Sequence, residues 1–409
     1  MMRTLIRYEC RKYFSRRSVI LIVLLFTIVN IVKIVSVHEE RSLLADPLWH
    51  ELYWDLYESY GGPIKDDKIR ELMNIYWPLQ RKTADLTAST TTDNPDTWTG
   101  NVYQDFHFLR WNYVNPLRYA YDYRSYAHSV VTAALENMDF YETIGNRYEF
   151  AKNSIIAERF QNRAITSFTY TEMFSEYTRY HFSAFLVLLI CLYALMAVWI
   201  TEKETEMDVL LLTATAGGSK TFWAKIIASV VFMCMLCFWF WTVDFATFAI
   251  VYDGSLEAAL APMYAIENYI HAALNINLLS YSLLSACVKT AGIIVIGLGF
   301  LLASCSFRSA LVPYVICLIA LFSLIYWDEA LMGSGRVWAK VVNPLILVTN
   351  QELFGRMEFV PLFGFPLPSY IAASAAGFIW MILFLGGMWL LIRKNVLHRR
   401  IRTHATVEI

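Results

Sequence analysis

TEKETEMDVLLLTATAGGSKTFWAKI, residues Thr201 to Ile226, decides how the chain is read. Its GGSKT string resembles the end of a nucleotide-binding loop. A P-loop has the form GxxxxGK[ST] between a buried strand and a helix, with its Lys directly after the last Gly. Here Ser219 separates Gly218 from Lys220, and the first Gly position is not Gly. No strand pattern precedes the stretch, and no βαβ pattern occurs elsewhere. It reads instead as a helix, a break at Gly217 and Gly218, and a second helix.

Apolar sequence lies on both sides. The 409 residues are 57% hydrophobic and 17% charged, with a mean hydropathy of +0.41. Soluble domains carry roughly 25% charged residues, so a membrane protein is expected. A helix crosses the hydrocarbon core with about 20 apolar residues. Six segments qualify: 18–37, 182–200, 224–251, 281–305, 310–326 and 371–392. The fourth and fifth are separated only by Ser306–Ser309, which suggests a tight helical hairpin. The first span is long and lacks a clear small-residue cleavage site, unlike a signal peptide.

Basic residues near span ends set orientation. Arg3, Arg7, Arg11, Lys12, Arg16 and Arg17 precede the first span, and Arg393, Lys394, Arg399, Arg400 and Arg402 follow the sixth. Six spans put both termini on one side, here expected to be the cytoplasm. The 252–280 loop has Asp253, Glu257 and Glu267 but no Lys or Arg, as an outside loop should. The 201–223 loop and the 393–409 tail are then cytoplasmic. In residues 1–17, Met2, Leu5, Ile6, Cys10, Tyr13 and Phe14 recur at helical spacing, with the basic residues mostly opposite. This pattern predicts an amphipathic helix in the inner interface, drawn to anionic lipid. The alternative is a topology signal alone.

Residues 38–181 are numerous enough to bury a core. They hold 21 acidic against 14 basic residues and no cysteine. Aromatic residues cluster in Leu48–Tyr57 and Tyr103–Tyr126. Apolar spacing is closer to helical than alternating, and Thr87–Gly100 is a turn-rich break. A mostly helical extracellular domain in two parts is expected. Its aromatics read as core, which a domain without disulfides must pack; a stacking cleft is the alternative. The acidic bias hints weakly at a cationic cargo or partner. Segment 327–370 is extracellular but apolar. Pro361, Pro366 and Pro368 break any helix there, and a re-entrant path is open to it where protein or water covers the backbone.

Three ionisable residues sit within spans: Lys33, Asp244 and Lys289. Such groups are costly in lipid and face protein or water. All three fall in the outer half, and an Asp244–Lys289 ion pair bordering a translocation path is geometrically possible. The alternatives are a structural pair, or side chains snorkelling to the interface. Gly292, Gly297, Gly299 and Ala303 in the fourth span, with Ala372, Ala373, Ser374, Ala376 and Gly377 in the sixth, mark close helix contacts. Cys234 and Cys237 form CxxC inside an apolar helix, where metal or redox chemistry lacks the accessible thiolate it needs. No HExxH, GxSxG or clustered His ligands occur, so no catalytic residue and no metal site is assigned. Near-neutral net charge gives no sign of a nucleic-acid partner.

In the 201–223 loop, Glu202, Glu204 and Glu206 leave the second span, Leu210, Leu211 and Leu212 follow, and Lys220 and Lys225 enter the third. Three Leu in a cytoplasmic loop fit the groove of another protein; packing on the chain's own bundle is the alternative. With the N-terminal helix and six spans, the form E-x-E…LL-x-T…G…K resembles an ABC-2-type permease subunit of a bacterial ATP-binding-cassette transporter. The chain departs from the pattern at Glu206-Met207, where many members have Gly-Thr, and at Thr215-Ala216-Gly217. The resemblance implies an all-α membrane protein in the bacterial plasma membrane, assembled with a second permease copy or paralogue. It also implies two separate ATPase subunits that carry the ATP and Mg; this chain would bind no cofactor. Glu202, Glu204, Glu206, Leu211, Leu212, Gly218, Lys220 and Lys225 would form the ATPase-coupling element. The implied function is export of a peptide, lipid or other amphiphilic cargo. Other readings are a sensor or immunity protein with a ligand-capturing ectodomain, and a membrane enzyme acting on lipid or glycan. A secondary transporter is disfavoured because no hydropathy repeat is evident.

Overall fold

A computed structural model describes residues 2–84, 98–207, 219–331 and 333–407, with side chains through residue 393. The chain is mostly helical, and six helices are long and apolar enough to cross a membrane. They run over Arg17–Arg41, Phe182–Glu204, Ser219–Val251, Leu278–Ser306, Leu311–Leu331 and Ser369–Val407. Several extend past the apolar windows read from sequence, because backbone hydrogen bonding continues into polar flanks such as His38–Arg41.

The second span is the hub. Two-thirds of its apolar window is buried, against 22% for the first span, 17% for the fifth and 11% for the sixth. A helix that is apolar all round is buried where neighbours surround it. Ala184, Val187, Leu188, Cys191 and Leu195 lie entirely inside, packed on Phe222, Met233 and Phe240 of the third span and Ile293 and Leu301 of the fourth.

The small residues of the fourth and sixth spans admit close neighbours. A Cβ on Gly292 would lie 2.8 Å from the Leu347 Cβ, and one on Gly377 would lie 2.7 Å from Leu347 Cδ1. Leu347 belongs to the turn Pro344–Leu347, whose residues Leu345, Ile346 and Leu347 are buried. The 332–368 connection therefore docks against both spans. Asn343 and Asn350, neither exposed, carry its polar bonds: Asn343 Nδ2 donates to the Leu324 carbonyl at 3.0 Å, and Asn350 Nδ2 to the Ser285 carbonyl at 2.9 Å. The prolines that exclude a helix sit in an antiparallel hairpin instead. Phe359–Leu362 pairs with Phe365–Pro368 across Phe363 and Gly364, both with positive φ.

Between the first and second spans are two cores. One is largely aromatic and joins helices Pro47–Tyr60, Asp66–Ala84 and Val102–Leu109. Tyr53, Tyr60, Phe106, Phe108, Tyr113 and Tyr170 are buried there, so these aromatics act as core. Trp77, Trp111 and Tyr103 remain exposed. Of the expected turn-rich break, residues 85–97 lie outside the described residues. The other core packs helices Asn115–Thr143 and Arg147–Phe160 onto the loop between the third and fourth spans, through Tyr123, Phe160, Tyr264 and Tyr269.

At the opposite end of the bundle, helix Met2–Glu9 leads into a wider π-helical turn, Cys10–Phe14. Arg3, Arg7 and Arg11 point outward, while Tyr13 and Phe14 are buried. Phe14 stacks on Phe232 of the third span with ring centroids 4.3 Å apart.

Candidate functional site

The residues flanking the Thr201–Ile226 stretch meet at a buried cluster of charge. Glu202 lies in the last turn of the second span and Lys225 near the start of the third. Lys225 Nζ lies 2.5 Å from Glu202 Oε2, and Glu202 Oε1 accepts from both Lys12 Nζ and Tyr13 OH at 2.8 Å. Lys225 also donates to the Val198 carbonyl at 2.9 Å and lies 4.4 Å from the centre of the Trp199 ring. Glu9 completes the cluster: it is 4% exposed, and its Oε2 has no hydrogen-bond partner among the described residues. Burial pushes the Glu9 carboxyl above its ordinary range; Lys225 lowers it and Glu202 raises it further. Burial and the adjoining Glu202 carboxylate also push the Tyr13 hydroxyl up, so it stays a hydrogen-bond donor. The Glu202 carboxylate, held by two ammoniums and the Tyr13 hydroxyl, thus binds the N-terminal segment to both ends of the 201–223 connection. The neighbouring Lys203 ammonium donates to the carbonyls of Ser304, Cys305 and Phe307. It satisfies acceptors that the end of the fourth helix leaves open.

The sequence-expected coupling residues therefore divide. Glu202 and Lys225 are brought together inside the protein. Glu204, Glu206 and Lys220 are exposed, and Glu206 adopts positive φ at the end of the helix. Leu211, Leu212 and Gly218 lie outside the described residues. Sequence reasoning missed Glu9, Lys12, Tyr13 and Lys203. Lys12, grouped in the sequence with the outward basic residues, is half-buried and reaches Glu202.

A second polar network lies at the domain end of the bundle. Asp244 is 2% exposed; Oδ1 accepts from Asn30 Nδ2 at 2.6 Å and Oδ2 from Ser183 Oγ at 2.5 Å. Asn30 Oδ1 accepts from Tyr180 OH at 2.8 Å, and the Tyr180 carbonyl accepts from Lys289 Nζ at 3.3 Å. The expected direct Asp244–Lys289 ion pair is corrected by this arrangement. Asn30 and Tyr180 link the two through hydrogen bonds, and the Lys289 ammonium is met by a backbone carbonyl instead of an Asp244 oxygen. Lys33 takes no part; it is exposed on the first span, as snorkelling allows. Asn30, Ser183 and Tyr180 carried no sequence signal, since a lone amide or hydroxyl in an apolar run has no pattern. Cys234 is exposed and Cys237 buried, both as free thiols, so they do not share one site. Among the described residues, no three His, Cys, Asp or Glu side chains converge as metal ligands do.

Two cavities could receive ligands. One of about 570 Å³ adjoins the Glu202 cluster, lined by Tyr13, Arg16, Val19, Met196, Ile200 and Tyr314 among others. It is mostly apolar, with Arg16 and Glu204 at its polar edge. The other, of about 280 Å³, lies against the aromatic core and includes Tyr53, Trp111, Tyr119, Tyr170, Glu172 and Glu267. Comparison with family models, curated proteins and solved structures finds no match to this chain.

Proposed function

We propose that this chain is the membrane-spanning subunit of an ATP-binding-cassette transporter. It would export a peptide, lipid or other amphiphilic cargo with ATP hydrolysed on separate ATPase subunits. The observation that carries the reading is Glu202, held within 2.5–2.8 Å of Lys225, Lys12 and Tyr13. A partner pressing on the 201–223 connection would displace the helix ends on both sides of it. Through Glu202 that displacement reaches the N-terminal segment and the first span. The resemblance of this stretch to a coupling loop supplies the identity of the partner. The apolar cavity beside Tyr13, with one cationic and one anionic residue at its edge, supports an amphiphilic cargo. In this reading both termini and the 201–223 connection are cytoplasmic, and the 38–181 domain is extracellular.

The test is coexpression with the proteins encoded by its chromosomal neighbours, followed by affinity purification. Capture of an ATPase by wild type, and its loss when Leu211 and Leu212 are changed to Asp, is the expected result. No ATPase in either preparation sinks the proposal. A second reading, a sensor or immunity protein that captures a ligand outside the membrane, is favoured by one observation. The 280 Å³ cavity joins aromatic faces to Glu172 and Glu267, chemistry suited to a cationic peptide. Binding of such a peptide without any ATPase partner would select it.

A further inference from the structure

Arg163 follows the helix Arg147–Phe160 in a tight turn, with Asn162 at positive φ. It is 2% exposed. Nη2 donates to the Ala272 carbonyl at 2.9 Å. The guanidinium carbon lies 4.3 Å from the centre of the Phe160 ring and 5.1 Å from that of Tyr264. These contacts fix the group and attend its faces. The Tyr123 hydroxyl lies against the guanidinium, and Nε and Nη1 are buried without a well-formed hydrogen bond among the described residues.

That arrangement is costly unless something else completes it. A guanidinium stays charged in proteins, and each buried donor without a partner carries a desolvation penalty. A buried charge is ordinarily met by an opposite one. The equally buried Lys225 and Lys340 follow this rule: Lys225 pairs with Glu202, and Lys340 with Glu352 at 3.0 Å and Glu358 at 3.4 Å. Among the described residues, no carboxylate forms an ion pair with Arg163.

Arg163 lines a cavity of about 320 Å³ between its turn and the helix Asn115–Thr143. Arg124 and His128 line it from that helix, together with Ala127, Val131 and Phe160, and no acidic side chain among the described residues does. Two guanidiniums, an imidazole and an apolar wall form the complement of a small oxyanion attached to an apolar group. Planar guanidinium recognises carboxylate and phosphate through paired charge-assisted bonds.

We propose that this cavity is an anion-binding site that takes the carboxylate or phosphate group of a small amphiphilic ligand. Arg163 is its fixed, buried counter-charge and Arg124 its exposed one. The inference does not rest on the transporter reading, and its test involves no ATPase.

Thermal unfolding of the full chain in detergent is followed while sodium phosphate or sodium benzoate is titrated, with sodium chloride at matched ionic strength as control. A saturable rise in Tm with either anion, absent in chloride, is expected for wild type. Response to phosphate alone identifies a phosphate site, response to benzoate alone a carboxylate site, and response to both a general oxyanion site. Arg124→Gln, at an exposed position where folding is undisturbed, should weaken the response about tenfold, the loss of one charge-assisted bond. Arg163→Met should abolish it. Should Arg163→Met fail to fold, Arg124→Gln decides alone. No saturable rise in wild type, or an unchanged response in Arg124→Gln, overturns the site.

Discussion

Lys225 Nζ lies 2.5 Å from Glu202 Oε2, and neither side chain is more than 5% exposed. The two residues bracket a connection between spans, so their contact closes that connection into a loop with a charged base. Breaking a buried pair by removing one partner costs about 3–5 kcal/mol, because the other charge is left uncompensated. Glu202→Gln and Lys225→Met should each lower the unfolding temperature sharply. The double variant should recover part of the loss. Single variants that unfold like wild type would show that the pair does not hold the helix ends.

Glu9 gives a pH signature at the same cluster. Its folded-state pKa is raised above the ordinary 4.5, chiefly by burial. The folded protein therefore binds this proton more tightly than the unfolded chain. Stability from this group is fully present below the ordinary carboxyl range and is lost as pH rises through the raised value. Glu9→Gln mimics the protonated form throughout. It should unfold at a higher temperature than wild type at neutral pH, with the difference closing as pH falls toward 4.5. A difference independent of pH would rule out burial of the Glu9 charge as its source.

The network at the other end makes a prediction about pairing. Asp244 is bonded to Asn30 and Ser183, while Lys289 is bonded to the Tyr180 carbonyl. Asn30→Ala removes a donor to a buried carboxylate and should cost about 1.5–3 kcal/mol. Exchanging the charges, as Asp244→Lys with Lys289→Asp, should not restore stability, since neither new side chain finds the partners of the old. Lys33→Gln, at an exposed site, should stay within about 0.5 kcal/mol. Rescue by the charge exchange would return the direct ion pair to favour. Denaturant unfolding of the purified variants measures all three.

Six spans were legible because apolar length is a property of local sequence, and the bilayer sets that length. The basic flanks and the division of small residues between the fourth and sixth spans were legible for the same reason. The partners of Glu202 were not. Lys12 and Tyr13 are about 190 residues away in the chain, and no periodicity links positions that only folding brings together. Asp244 and Lys289 were conspicuous as charges, yet the groups that satisfy them are an amide, a hydroxyl and a backbone carbonyl, none of which stands out in a sequence. Arg163 was invisible too. It lies in a polar region where an arginine is unremarkable, and only burial without an ion-pair partner among the described residues distinguishes it.

The turn Pro344–Leu347 supplies the last prediction, because it packs closely against both the fourth and the sixth spans. A methyl group on Gly292 would sit 2.8 Å from the Leu347 Cβ and 3.1 Å from the Val348 backbone nitrogen. Backbone cannot move aside as the end of a flexible side chain can. Gly292→Ala should therefore destabilise by about 1–3 kcal/mol, the usual cost of overpacking. Gly386 in the sixth span has open space where its Cβ would be. Gly386→Ala should be neutral or stabilising, since alanine favours a helix over glycine by about 1 kcal/mol. Thermal unfolding of the two variants side by side separates the close approach from any general intolerance of the bundle to alanine. Equal effects at the two positions would mean that the 332–368 connection does not pack closely against the fourth span.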